Sequence, residues 1–241
     1  MQRAATGYRN TDQAKWETMS YTRFAIYYVP PEGALAEFGA AWLGWDIVAG
    51  CAVAQLDLAG LDEITSTPRK YGFHGTLKPP FHLSAGCRIE ALAEACAELA
   101  ENLAPATCSG LELTMLGRFL ALTPRGDAAD LRRVADACVR APDAFRAPPT
   151  AQELARRRTA TLSAQQQALL SRWGYPHVME EFRFHMTLSG RLPKPDQKRW
   201  FDTVEGLLPA LPSPFVMDQI VLCGERHDGH FEVIHRYPLA G

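Results

Sequence analysis

The sequence predicts an α+β protein of two similar lobes, each a mainly antiparallel sheet with helices packed outside it. Three observations carry this. The pattern Phe-His-x-Thr-Leu occurs twice, as Phe73-His74-Gly75-Thr76-Leu77 and as Phe184-His185-Met186-Thr187-Leu188. Each copy is followed by an amphipathic helix and then a strand pair, so the order of elements is duplicated along with the motif. The second of those pairs carries a hairpin signal, Asp228-Gly229 between two aliphatic and aromatic runs. The expected division is a loose extension over 1–20, a first lobe over 21–141, and a crossover with a second lobe over 142–241.

Each element has a local reason. Phe24 to Val29 is an aromatic and β-branched run ended by Pro30-Pro31, hence a strand. Leu35, Phe38 and Trp42 recur at helical spacing, whereas the polar stretch Leu61 to Lys70 reads as a loop that delivers the first motif. Pro79-Pro80 ends that motif's strand. Ile89, Leu92, Cys96, Leu99 and Leu103 mark an amphipathic helix. Leu111 to Leu116 and Arg118 to Thr123 read as strands around Gly117, and Asp127 caps a helix with Leu131, Val134, Ala135 and Cys138 inward. Pro142, Pro148 and Pro149 mark the crossover. Thr150-x-x-Glu153 and Ser163-x-x-Gln166 are capping-box patterns for one or two helices reaching Trp173. After the second motif, Asp196 opens a helix with Trp200, Val204, Leu207 and Leu208 inward, and Phe215 to Glu225 is a strand.

At 241 residues, 47% hydrophobic and 22% charged, the chain can bury a full core. A net charge of −2 supplies no overall basic field to hold long nucleic acid, and short RNA ends stay open as partners. The basic run Arg156-Arg157-Arg158 reads as a solvated helix face. The six cysteines are scattered with no Cys-x-x-Cys pair, which suits reduced, mostly buried thiols and a cytoplasmic setting. No apolar run is long enough to span a membrane, and Met1 to Ser20 lacks the apolar segment of a signal peptide. Met19, just ahead of the first strand, offers an alternative start of translation.

The chemistry lies in the two motifs. Residues two apart in a strand share a face, so His74 and Thr76 project together with Lys78 beyond them. His185 and Thr187 project together, flanked by Arg183 and Ser189. One imidazole can act as base and the other as acid for in-line displacement at phosphorus. Threonine hydroxyls can donate to non-bridging phosphate oxygens, and Lys78 or Arg183 can offset the charge that grows on them. This scheme requires no metal and no cofactor. The imidazoles are then expected to face one another across a cleft, roughly 5–8 Å apart, within reach of one phosphate.

The fuller strings Arg69-Lys70-Tyr71-Gly72-Phe73-His74-Gly75-Thr76-Leu77-Lys78-Pro79-Pro80-Phe81 and Phe182-Arg183-Phe184-His185-Met186-Thr187-Leu188-Ser189-Gly190-Arg191-Leu192 resemble the two-histidine phosphoesterase superfamily. In particular they resemble its bacterial branch associated with phosphonate metabolism. The resemblance implies a bilobal fold with a pseudo-twofold axis and a metal-free central cleft. It implies catalytic roles for His74 and His185 and phosphate contacts for Thr76 and Thr187. It also implies a small substrate such as a ribose cyclic phosphate. Gly75 stands where similar motifs more often have Ala, which should weaken the strand slightly.

The other candidates are weaker. His235, Arg69 and Ser189 are placed as supporting residues around the cleft. Tyr71 has the wrong parity for the catalytic face and reads as core, like Trp42, Trp45 and Trp200. His82 shares the parity of His74, but two prolines intervene. His177, His227 and His230 match no metal-ligand spacing. Three other readings stay open: a binding module that holds a nucleotide or sugar phosphate without turnover, an RNA 2′,3′-cyclic phosphodiesterase or ligase-like enzyme, and a metallohydrolase built from His74, His82 and His185.

Overall fold

The computed structural model describes residues 20–151, 153 and 162–241. The N-terminal extension and Arg156-Arg157-Arg158 lie outside the described residues. The strands are β1 (Arg23–Tyr28), β2 (Trp45–Asp46), β3 (Cys51–Ala52), β4 (Gly75–Phe81), β5 (Ala106–Cys108), β6 (Gly110–Leu116), β7 (Phe119–Arg125), β8 (Met186–Thr187), β9 (Phe215–Met217), β10 (Gln219–Glu225) and β11 (Phe231–Pro238). Among the described residues six α-helices accompany them: α1 (Ala34–Leu43), α2 (Leu61–Arg69), α3 (Ile89–Glu101), α4 (Ala129–Arg140), α5 (Ala164–Trp173) and α6 (Lys194–Leu207). The fold is α+β, and every strand pairing is antiparallel.

Seven strands form one sheet in the order β11-β10-β1-β4-β8-β7-β6. The two motif strands, β4 and β8, are therefore neighbours near its middle, joined at Gly75–Met186. The cleft is the floor of this shared sheet. Its halves also exchange strands. The hairpin β10–β11, from the end of the chain, flanks β1 and β4, while β6–β7, from before residue 141, flanks β8. The division of the sheet thus crosses the expected division of the chain. Two-residue turns favour sequence-adjacent hairpins, but each hairpin still chooses which open edge to complete.

The sheet's two faces carry different loads. Phe24, Ile26 and Tyr28 of β1 join a large core with Trp42 of α1, Leu92 and Cys96 of α3, Leu131 and Val134 of α4, and Trp200 of α6. Ala25, Tyr27 and Val29 point the other way, into a smaller cluster with Trp45, Ile47, Cys223 and Phe231. The site lies on this second face. Indole N–H groups tie distant segments together, with Trp42 donating to the Leu188 carbonyl and Trp45 to the Phe231 carbonyl.

Local chemistry explains most elements. Ser163 and Gln166 form a complete capping box at α5, and Thr150 and Glu153 make the equivalent bonds. The Asp127 carboxylate accepts from the Ala129 N–H at the start of α4. Three expectations fail. Pro79-Pro80 does not end the first motif's strand, since β4 continues to Phe81, which pairs with Phe24. Leu61–Arg69 is a helix, not a loop, because three well-spaced residues (Leu61, Thr65, Pro68) reach the core, although its sequence is mostly polar. Leu207, the last residue of α6, is 45% exposed, and the inward positions of the helix end at Val204. The six cysteines are unpaired and four are buried. Among the described residues no helix is long and apolar enough to cross a membrane.

Gly75 is required by packing. A Cβ there would lie 2.5 Å from the buried Phe184 ring. Gly75→Ala should therefore destabilise the fold by about 1–3 kcal/mol, the usual cost of overpacking, despite the better strand propensity of alanine. Urea denaturation monitored by tryptophan fluorescence would show the lowered midpoint.

Candidate active site

The single Gly75–Met186 pair sets the register for everything around it. Counting outward, His74 falls opposite Thr187 and Thr76 opposite His185, all four on one face. Directly opposite side chains are about 4.5–5.5 Å apart at Cβ, and the diagonal pair His74–His185 is separated by about 7–8 Å. The result is a quartet with approximate twofold symmetry, an imidazole and a hydroxyl from each strand. The two threonines and both histidines are half-buried.

The same backbone device orients both rings. His74 Nδ1 lies 2.9 Å from the Gly72 carbonyl, and His185 Nδ1 lies 2.8 Å from the Arg183 carbonyl. A carbonyl can only accept, so each Nδ1 carries the hydrogen and each neutral ring offers its Nε2 lone pair to the cleft. His74 Nε2 then accepts from the Thr76 hydroxyl at 2.9 Å. Burial pushes the His74 pKa down to about 4, the nearby His185 lowers it further, and the Gly72 carbonyl opposes the shift. Burial also lowers the His185 pKa, with His177 adding to the effect.

Two chambers meet at the quartet. One, of about 380 Å³, holds His74, Thr76, Thr187 and Ser189 with Arg23 and Tyr71 on its walls. The other, of about 410 Å³, holds His185, Arg183, Phe119 and His177. Thr76, Pro79 and Tyr175 line both and form the septum. Each chamber is large enough for a sugar phosphate.

The structure relocates several residues. Lys78 is 2% exposed and turned away from the site. Its Nζ donates to the Val139 carbonyl at 2.9 Å and pairs with Asp143 at 3.5 Å. A β-bulge is responsible. Tyr27 pairs with Thr76 and Ile26 with Lys78, so β4 spends one extra residue there and Lys78 falls on the face of Ile26. Arg69 bonds the Leu43 carbonyl and Gln55 and pairs with Asp62, bracing α2 against the loop after α1 rather than reaching the cleft. His235 sits on β11 at the sheet edge beside Tyr237, three strands from β4. His82 bonds the Thr22 carbonyl and lines neither chamber. Ser189 is buried in the chamber wall, where its hydroxyl accepts from the Leu120 N–H and donates to the Gly190 carbonyl. Arg183 is exposed on the wall of the His185 chamber.

Other wall residues gave no signal in the sequence. Tyr27 stacks on His74 with ring centroids 3.7 Å apart. Tyr71, read as core, lines the His74 chamber and stacks on Phe231. Tyr175 comes from the turn after α5. Their spacing to the motifs is arbitrary in sequence, and only the strand order brings them together. Among the described residues no group of three His, Cys, Asp or Glu side chains is placed to hold a metal ion.

The two His-x-Thr motifs thus lie on adjacent central strands of one antiparallel sheet. The chain belongs to the family described as "Protein of unknown function (DUF1045)", which matches residues 76–232. It is 34% identical over 234 residues to a protein of Janthinobacterium sp. (strain Marseille) named "Ribose 1,5-bisphosphate phosphokinase PhnN", covering 92% of this chain and 52% of that protein. A protein of the same name from Laribacter hongkongensis (strain HLHK9) is 35% identical over 189 residues, covering 74% and 42%. The chain spans about half the length of these curated relatives. Among solved structures, E. coli LigT complexed with 3'-AMP is similar with a TM-score of 0.43 and 14% identity, covering 92% of this chain and 100% of that one.

The placement of Lys78 has a measurable consequence. Burial lowers its pKa from 10.5 to about 8, against the opposing pull of Asp143. Between those values the unfolded chain holds a proton that the folded chain has released. Stability should therefore rise with pH from about 8 to 10.5 on this account. Lys78→Met should abolish that rise in denaturation series at stepped pH, and should leave turnover unchanged if the residue takes no part in phosphate binding.

Proposed function

We propose that this protein is a metal-independent phosphodiesterase that opens the cyclic phosphate of a small sugar or nucleotide. The quartet carries this reading: two imidazoles on one face of the sheet, each with Nδ1 tied to the backbone and each beside a threonine hydroxyl, in two chambers that meet at Thr76. A phosphate seated between them meets a base on one side and an acid on the other. Water loses a proton to one histidine and its oxygen attacks phosphorus. The opposite phosphorus–oxygen bond breaks, and the second histidine protonates the departing alkoxide. The product is a phosphomonoester and a free hydroxyl, with one water consumed. Thr187 donates to a non-bridging oxygen, and Thr76 does the same once the phosphate draws its hydroxyl away from His74 Nε2.

Burial holds both rings neutral at pH 7 in the empty site, which by itself supplies a base and no acid. The phosphate anion reverses this, since a nearby negative charge favours an imidazolium. Substrate binding thus brings in the proton that the second histidine later donates.

The relatives' name supports a phosphorylated ribose as the substrate class. This chain contains no Gly-x-x-x-x-Gly-Lys phosphate loop, so phosphokinase activity is not carried over to it. Opening a cyclic phosphate that spans C1 and C2 of a ribose 5-phosphate, with cleavage of the C2 ester, leaves a ribose 1,5-bisphosphate. A kinase for that compound would consume such a product. The chambers are the right size for such a sugar, and the protein's net charge of −2 does not favour a long polyanion.

Incubation with a panel of sugar and nucleoside cyclic phosphates, followed by phosphorus NMR, should show ring opening that persists in EDTA. Stoichiometric binding of these compounds without turnover would favour the binding-module reading, and loss of turnover in EDTA with recovery on added zinc or manganese the metallohydrolase. His74→Ala and His185→Ala should each lower kcat/KM on the order of 10²–10⁴, with the double variant scarcely worse than the weaker single. Thr76→Ala and Thr187→Ala should lose less, because the proton transfers remain. Near-native turnover in either histidine variant would overturn the mechanism.

A further inference from the structure

We infer that Tyr27 is a positioning residue that makes the two histidines unequal, so that His74 is the base that takes the proton from water and His185 the acid that protonates the leaving alkoxide. The inference rests on the phosphodiesterase reading and adds the direction of the chemistry to it.

The twofold symmetry of the quartet is broken by what packs on each ring. Tyr27 is fully buried on β1, directly across from Thr76, and its ring lies over the His74 imidazole at 3.7 Å and 25°. His185 has only the tilted Phe119 ring, at 5.8 Å, and sits beside the exposed Arg183. One face of the His74 ring is therefore closed to water, its Nδ1–H is committed to Gly72, and a proton can be exchanged only at Nε2, in place of the bond it accepts from the Thr76 hydroxyl. The Tyr27 hydroxyl has no hydrogen-bond partner among the described residues. The ring, not the hydroxyl, makes the contact.

Charges around His74 agree. Arg23 and Tyr71 face it from the chamber walls, Tyr175 from the septum and His185 from β8, while Cys223 and Glu225 lie behind on β10. Helix α2 contributes Thr67 and Pro68, neither of which titrates. Among the described residues no carboxylate lines this chamber, and the Glu225 carboxylate is already engaged by Arg23. The His185 chamber, by contrast, includes Glu181. A tyrosine face attracts a cation, but here it also excludes the water that would solvate one, and burial is the largest cause of the lowered His74 pKa. A histidine held neutral suits the base, and the ring more open to solvent suits the group that must carry a proton.

Three measurements test this. In wild-type protein labelled at histidine, NMR should show His74 titrating below His185, with no substrate needed. Replacing the stack in Tyr27→Val should raise the His74 pKa and move the acidic limb of kcat/KM upward by about one pH unit or more, since relief of burial is the largest cause of the shift. Tyr27→Phe should keep the wild-type limb. Finally, an alkyl and a p-nitrophenyl phosphodiester differ in their need for an acid. His185→Ala should lose much less on the p-nitrophenyl ester than on the alkyl ester, whereas His74→Ala should lose equally on both.

The inference is overturned if His185 titrates below His74, if the limb is unmoved in a folded Tyr27→Val, or if the leaving-group pattern is reversed. Should Tyr27→Val fail to fold, the titration order and the leaving-group pattern still decide. If wild-type protein cleaves no phosphodiester while His74 titrates first, the phosphodiesterase reading fails and the asymmetry of the rings stands on its own.

Discussion

One backbone pairing, Gly75 with Met186, holds the two halves of this protein in functional register. It lies between the histidine and the threonine of each motif, so both residues of one strand fall opposite their counterparts on the other. A slip by a single residue would turn one motif's side chains to the helix-packed face. The surroundings defend that register. Phe184 fills the space that a side chain at position 75 would need, Trp42 binds the carbonyl after Thr187, and Ser189 fixes β7 alongside. The packing of the core and the placement of the imidazoles are therefore one constraint.

Much of this was legible in the sequence. The alternation around His74 and His185 correctly puts each imidazole with its threonine and each Phe and Leu in the core, because period-two geometry is local. The capping boxes and the Asp228-Gly229 hairpin are local too. What failed depended on neighbours. Lys78 follows Thr76 by two residues and ought to share its face, but a bulge is a property of a strand pair and leaves no mark on one strand alone. Arg69 and His235 are near the motifs in sequence or in type, yet one braces a loop and the other lies at the sheet edge. Tyr27 and Tyr175 line the site because of strand order and a helix end, which no spacing in the chain encodes.

The two histidines illustrate how a duplicated motif yields unlike groups. Both use a carbonyl two residues upstream to fix the tautomer, so that part of the design is carried by the motif's own backbone. The difference comes from unrelated elements: β1 covers one ring, and the segment after α5 approaches the other. Duplication supplies two similar side chains, and asymmetric packing sets them to different proton affinities.

The exchange of hairpins between the halves of the sheet has a bearing on how the chain assembles. β1 is paired on one side by β4 and on the other by β10, whose residues follow it by roughly the whole length of the protein. Contacts of such long sequence separation form late and slow the search for the native state. During synthesis from the N-terminus, β1 leaves the ribosome with one edge that nothing yet made can cover. That edge is Phe-Ala-Ile-Tyr-Tyr, apolar and of high strand propensity, a segment inclined to pair with a second nascent copy. Until Gln219–Glu225 arrives that edge has no native partner, so refolding yield should fall with chain concentration even where the finished fold is stable.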